Sequence, residues 1–168
     1  MENFEQLFEQ YYKDVYRFLL RLCGFQESLA EEYTQETFFC AYLSFPDFRG
    51  GCQLKTWLIQ IAKNRFYLGL RKKKGRTVSI NDLFPEPHAT EDMEERLDER
   101  LLLEHSRGII DSLPVPMRDV MLYRIFSDLS YRQIACLLGI SENSAKVLFF
   151  RGKKILRAKL KEEYGYEI

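Results

Sequence analysis

Glycine and proline are sparse, nine and five among 168 residues, while phenylalanine and tyrosine are plentiful at 13 and 10. Few chain breakers and many large apolar side chains suit long helices. No alternating strand pattern, internal repeat or low-complexity segment is present. The absence of a glycine-rich phosphate loop removes one common nucleotide-binding chemistry. No apolar run approaches the roughly 20 residues that would span a bilayer. The opening MENFEQLFEQYY has no basic start followed by an apolar stretch, so no secretory signal is expected. The four cysteines, Cys23, Cys40, Cys52 and Cys136, are scattered without CxxC or Cys/His zinc spacing. They are expected to be reduced, structural residues of a cytoplasmic protein. His88 and His105 have no nucleophile–base arrangement around them in the sequence. The expectation is a protein that is not an enzyme and holds no metal, cofactor or small-molecule substrate.

An apolar share of 46% is enough to build packed cores. Phe4, Leu7, Phe8, Tyr11, Val15, Phe18, Leu19 and Leu22 recur at helical spacing, and Gly24 should end that helix. A second begins near Ser28 and closes at Phe45-Pro46, because a residue before proline avoids the α region. PDFRGGCQ reads as a loop, and LKTWLIQIAKNRFYLGLRKK as a third helix. TVSINDLFPEPHAT has linker chemistry. A second helical unit starts near Glu91, is broken at Leu113–Pro116 and resumes at Pro116 or Met117. The expected fold is all-α: two small helical domains, 1–76 and 93–168, joined by a flexible linker over 77–92.

The formal net charge of zero conceals a pattern. Between Lys55 and Arg76 there are eight cations and no acid, acids dominate from Asp82 to Glu104, and cations return from Lys146 to Lys161. Two basic blocks suggest two contacts with a polyanion, with solvated faces paired to the acidic segment as the plain alternative.

The stretch LSYRQIACLLGISENSAKVLFFRGKKIL carries the most specific pattern. Ile134, Leu138, Ile140, Ala145 and Leu148 fall where a helix-turn-helix buries its inner faces. Ala135 is small where the helices must approach. Gly139 sits at the turn, where a positive φ costs a residue without Cβ least, and Ser141 can cap the next helix. Lys146, Arg151, Lys153, Lys154 and Arg157 then supply charge, the layout of a helix that enters the major groove. A helical hairpin with a solvated basic face is the alternative.

Four ordered blocks, AEEYTQETFFCAY, KTWLIQIAKNRFYLGLRKKK, LPVPMRDVMLYRIFSDLSYRQIACLLGIS and ENSAKVLFFRGKKIL, resemble those of a bacterial sigma factor of the extracytoplasmic-function group, and the resemblance covers nearly the whole chain. It implies an alternative sigma factor that binds core RNA polymerase and promoter DNA to start transcription. It also implies an anti-sigma partner, often membrane-bound in the family. Glu32, Gln35, Glu36 and Phe39 lie three or four apart and so share a helix face. By the resemblance that face docks on the polymerase; by spacing alone it is an ordinary solvated face.

The minus-ten contacts implied are Lys55, Trp57, Lys63, Asn64, Arg65, Arg71, Lys72, Lys73 and Lys74. Asn64, with the loop from Phe48 to Gln53, would pocket a base that has left the stack, and the cations would follow phosphates. Trp57 and Phe66 offer ring faces for stacking, although core packing suits Trp57 better. The minus-thirty-five contacts implied are Arg124, Ser144, Lys146, Val147, Phe150, Arg151 and Lys154, with base preference left open because Val147 and the LFF run depart from the commoner pattern. Arg124 reads equally well as a surface arginine. The rivals are a stand-alone helix-turn-helix transcriptional regulator and a helical adaptor that binds no DNA.

Overall fold

The computed structural model of the chain describes residues 3–74 and 92–167. Seven α-helices and one short 3-10 turn make up its regular structure among these residues. The expected linker falls almost wholly outside them.

In the first half, α1 (Phe4–Leu22), α2 (Glu27–Ser44) and α3 (Leu54–Lys74) pack on one another. The Asn3 side chain accepts from the Glu5 N–H and caps α1. Leu7, Val15, Phe18, Leu19 and Leu22 form its buried stripe, as the spacing requires. Phe38 of α2 and Leu58, Ile59, Ala62 and Phe66 of α3 complete the core. The Thr34 and Thr37 hydroxyls are buried but donate to Ala30 O and Tyr33 O at 2.6 and 2.7 Å, which satisfies them inside their own helix. At Gly69 a methyl group would run into the Tyr33 hydroxyl, so the missing side chain sets the approach of α2 and α3. α2 ends at Ser44, beside the proline as expected, but the reason is corrected: Phe45 itself adopts the right-handed α region, φ −57° and ψ −39°, and the chain tightens into a 3-10 turn over Phe45–Asp47.

In the second half, α4 (Asp92–Asp111) and α5 (Met117–Phe126) pack beside α6 (Tyr131–Leu138) and α7 (Glu142–Tyr164). Ser130 and Gln133 form a reciprocal capping box at the start of α6: Ser130 Oγ accepts from the Gln133 N–H at 3.1 Å, and Gln133 Oε1 from the Ser130 N–H at 2.8 Å. Gly139 adopts φ +65° and ends α6. Ser141 Oγ accepts from the Ser144 N–H at 3.0 Å and starts α7. Ile134 and Ala145 are buried where the two helices meet. Ser141→Ala should therefore lower stability by about 1 kcal/mol, read as an earlier urea midpoint for loss of helix.

The halves also pack against each other. α1 meets α4 and α5, and α3 meets α6. Arg21 Nη1 donates to Phe126 O at 3.4 Å, and Tyr67 OH donates to Asp111 Oδ1 at 2.7 Å. Burial, then the Asp111 charge and hydrogen bond, push the Tyr67 hydroxyl far above its ordinary range. It therefore stays a protonated donor at neutral pH.

Candidate nucleic-acid and protein-docking surfaces

α2 is two-sided. Tyr33, Thr34, Thr37 and Phe38 point into the core, which leaves Glu32, Gln35, Glu36 and Phe39 on the outside. Phe39 is 63% exposed, and Tyr42 and Leu43 beside it are each 60% exposed. The result is an apolar patch with acids and an amide along one side. Large exposed apolar clusters of this kind mark protein contacts. Tyr42 and Leu43 were not among the residues expected there. Their spacing of three and four from Phe39 is the signal that identifies them.

On α3, Asn64, Arg71 and Lys72 are exposed, and Arg65 and Lys73 are half-buried. Arg71 Nε donates to Tyr67 O of its own helix at 3.4 Å. Arg65, Lys72 and Lys73 border a shallow groove whose other wall includes Glu32 and Glu36. The acidic α2 face and the basic α3 run thus adjoin. The Lys74 side chain lies outside the described residues.

Lys63 does not stand free for a phosphate. Its Nζ lies 3.4 Å from Asp119 Oδ1 and 5.2 Å from the centre of the Tyr123 ring. Asn64, Lys63 and Arg71 line a cleft between the halves, opposite Asp111, Arg118 and Asp119. Carboxylates of the second half thus sit where phosphates would be expected.

The aromatic expectations divide. Trp57 packs against Phe48 at 4.8 Å and Phe45 at 6.5 Å between ring centres. It holds the loop that precedes α3, as the core-packing alternative anticipated. Phe66 is only 3% exposed, edge-on to Tyr33 and beneath the Arg107 guanidinium. The expectation of a free stacking face at Phe66 is therefore corrected: its helical position turns it into the core. Lys55 is half-buried in a recess with Asp14, Arg17, Arg21 and Asp128.

α7 presents its outer face to solvent. Ser144, Lys146, Val147, Phe150, Arg151 and Lys154 are all exposed, Phe150 at 65%. Lys146 Nζ pairs loosely with Glu142 at 3.7 Å, both side chains about half exposed. Such a pair is worth little in water and can be exchanged for a phosphate. Leu148 and Phe149 turn inward, Phe149 against Tyr131 at 5.9 Å. Arg124 is exposed yet positioned: it donates to Leu129 O at 3.1 Å and lies 4.4 Å over the Tyr131 ring.

The cysteines also divide. Cys23 is buried, and burial pushes its thiol up to about 12, as expected of a structural residue. Cys52 and Cys136 form a disulfide with 6.2 Å between their Cα atoms. The expectation of four reduced cysteines is corrected at these two. They come from opposite halves, so no local spacing could announce the pair.

Comparison with known proteins agrees with this layout. Residues 7–76 match the family model for sigma-70 region 2, and residues 107–156 match that for sigma-70 region 4. The chain is 29% identical to the ECF RNA polymerase sigma factor SigM of Bacillus subtilis over 156 residues, covering 92% of this chain and 93% of SigM. It is 27% identical to SigX of the same organism, covering 93% and 82%. The fold is similar to that of the sigma factor RpoE of Bartonella quintana, solved with the anti-sigma factor NepR, with a TM-score of 0.61, 23% identity and 97% and 99% coverage. It is also similar to CnrH, solved with the cytosolic domain of CnrY, with a TM-score of 0.59, 20% identity and 95% and 88% coverage. Two sigma-70 regions in order, in a chain that aligns with its relatives over nearly its whole length, make this protein a member of the sigma-70 family, an alternative sigma factor of the extracytoplasmic-function group that directs transcription initiation.

Proposed function

We propose that this sigma factor divides its work among three surfaces. The α2 face of Glu32, Gln35, Glu36 and Phe39, extended by Tyr42 and Leu43, docks on core RNA polymerase. Asn64, the loop from Phe48 to Gln53 and the cations of α3 open and hold the minus-ten element. The outer face of α7, with Arg124 at its flank, reads the minus-thirty-five element. The observation that carries this reading is the exposure of both the α2 and α7 faces on either side of buried cores.

In this reading the working domains are 1–76 and 93–168, with 77–92 between them. The protein acts in the cytoplasm and is not itself an enzyme; the chemistry belongs to the polymerase. Among the described residues no helix is long and apolar enough to cross a membrane. An anti-sigma factor, a kind of protein often membrane-bound in the family, is proposed as the restraining partner. Support comes from RpoE, solved with the anti-sigma factor NepR. A stand-alone regulator is disfavoured because its helix-turn-helix would not need the region 2 match over residues 7–76.

Asn64→Ala tests the opening role. Its amide would bond a base only after that base leaves the stack. The variant should reduce promoter melting on the order of tenfold, the scale of one or two hydrogen bonds, while closed-complex binding changes little. Permanganate reactivity of unpaired thymines measures the first, and filter binding at low temperature the second. Equal melting by variant and parent would remove Asn64 from the pocket.

A further inference from the structure

Cys136 is exposed on the outer side of α6, not in the core where a structural cysteine belongs. Cys52 lies in the loop before α3, 84 residues away in sequence, with its Cα 6.2 Å from that of Cys136. This separation lies in the range that a disulfide bridges without moving the backbone. A second contact fixes the same register. Gln133, one helical turn before Cys136, donates through Nε2 to Gln53 Oε1 at 2.8 Å, and Gln53 follows Cys52 directly. Two adjacent residues of one domain thus meet two residues on one face of a helix in the other.

The bond holds together two segments that promoter reading must separate. The elements named minus-ten and minus-thirty-five lie about 25 base pairs apart, roughly 85 Å along B-DNA. The loop before α3 is assigned to the first, and the α6–α7 unit to the second. While the bond is intact the cleft holding Asn64 stays faced by Asp111, Arg118 and Asp119, and Lys63 stays on Asp119.

We propose that Cys52 and Cys136 form a redox-controlled lock, in which their disulfide holds the sigma factor in a closed form unable to engage both promoter elements and its reduction releases a competent form. The inference rests on the two-element reading proposed above. The oxidant class is a low-molecular-weight disulfide, RSSR. One cysteine thiolate attacks a sulfur of RSSR, expels one RS⁻ and leaves a mixed disulfide on the protein. The second thiolate attacks that protein sulfur and expels the second RS⁻. Two electrons pass from the cysteine pair to RSSR, the two thiol protons end on two RSH, and one protein disulfide forms. A dithiol reductant reverses the sequence.

The test uses the full chain with core polymerase, oxidised by glutathione disulfide or reduced by dithiothreitol. Peptide mapping without reduction should find Cys52 linked to Cys136 in the oxidised protein. Run-off transcription by that protein should fall at least tenfold and return with dithiothreitol. Cys136→Ser should transcribe like the reduced parent and ignore glutathione disulfide. Absence of the linked peptide after oxidation would overturn the site. A linked protein that initiates as well as the reduced one would overturn the lock and leave the sigma reading intact. A reduced protein that fails to initiate would count against that reading, while the peptide map still decides whether the thiol pair forms.

Discussion

Replacing Gln35, Glu36 and Phe39 together with alanine should weaken binding to core RNA polymerase by about a hundredfold, with little change in thermal stability. The stability half follows from burial. All three side chains are exposed, while their neighbours Tyr33, Thr34, Thr37 and Phe38 carry the packing of α2. The affinity half follows from the physics of interfaces. An aromatic anchor surrounded by polar groups commonly supplies 2 kcal/mol or more, and every 1.4 kcal/mol is about tenfold. Tyr42 and Leu43 enlarge the apolar area beside Phe39, so Tyr42→Ala should add to the loss. Titration of a fluorescently labelled triple variant into core enzyme, beside a circular dichroism melt, measures both. Unchanged affinity in a folded variant would move the docking site off α2.

The second large effect separates reading from clamping on the DNA. Arg151 is exposed on the outer face of α7 and is assigned to a base edge, where an arginine pairs best with guanine. Arg151→Ala should change which minus-thirty-five variants are preferred, by about 1–3 kcal/mol at one base pair. Lys73, half-buried on α3, is assigned to phosphate. Lys73→Ala should lower binding to all promoters alike and reduce the salt slope by about one. Holoenzyme binding to point-variant promoters at several salt concentrations distinguishes the two. If Arg151→Ala lowers every promoter equally, Arg151 is a phosphate clamp, and reading rests on Lys146 and Phe150.

Local chemistry made the helix-turn-helix legible. Gly139 at positive φ, Ser141 as a cap and the buried Ile134 and Ala145 are each properties of a few adjacent residues. The same holds for the Phe45-Pro46 stop and for the outward face of α2. The capping box at Ser130 and Gln133 could have been found from its three-residue spacing. The contacts between the halves have no such signature. Lys63 with Asp119, Tyr67 with Asp111 and Cys52 with Cys136 join residues at least 44 apart, and no periodicity links them. The family resemblance set Lys63 among the phosphate contacts, and the scattered spacing of the cysteines left Cys136 as a reduced structural residue. Phe66 was misread because helical spacing and an exposed ring face compete for one residue, and the packing of Tyr33 and Arg107 decides it.

Run-off transcription from a genomic fragment library, by core polymerase with and without this protein, decides whether it directs initiation at a subset of promoters. New, discrete start sites should appear only when the protein is present, each preceded by related minus-ten and minus-thirty-five elements. Identical transcripts with and without it, under reducing conditions that leave Cys52 and Cys136 as thiols, would contradict the assignment.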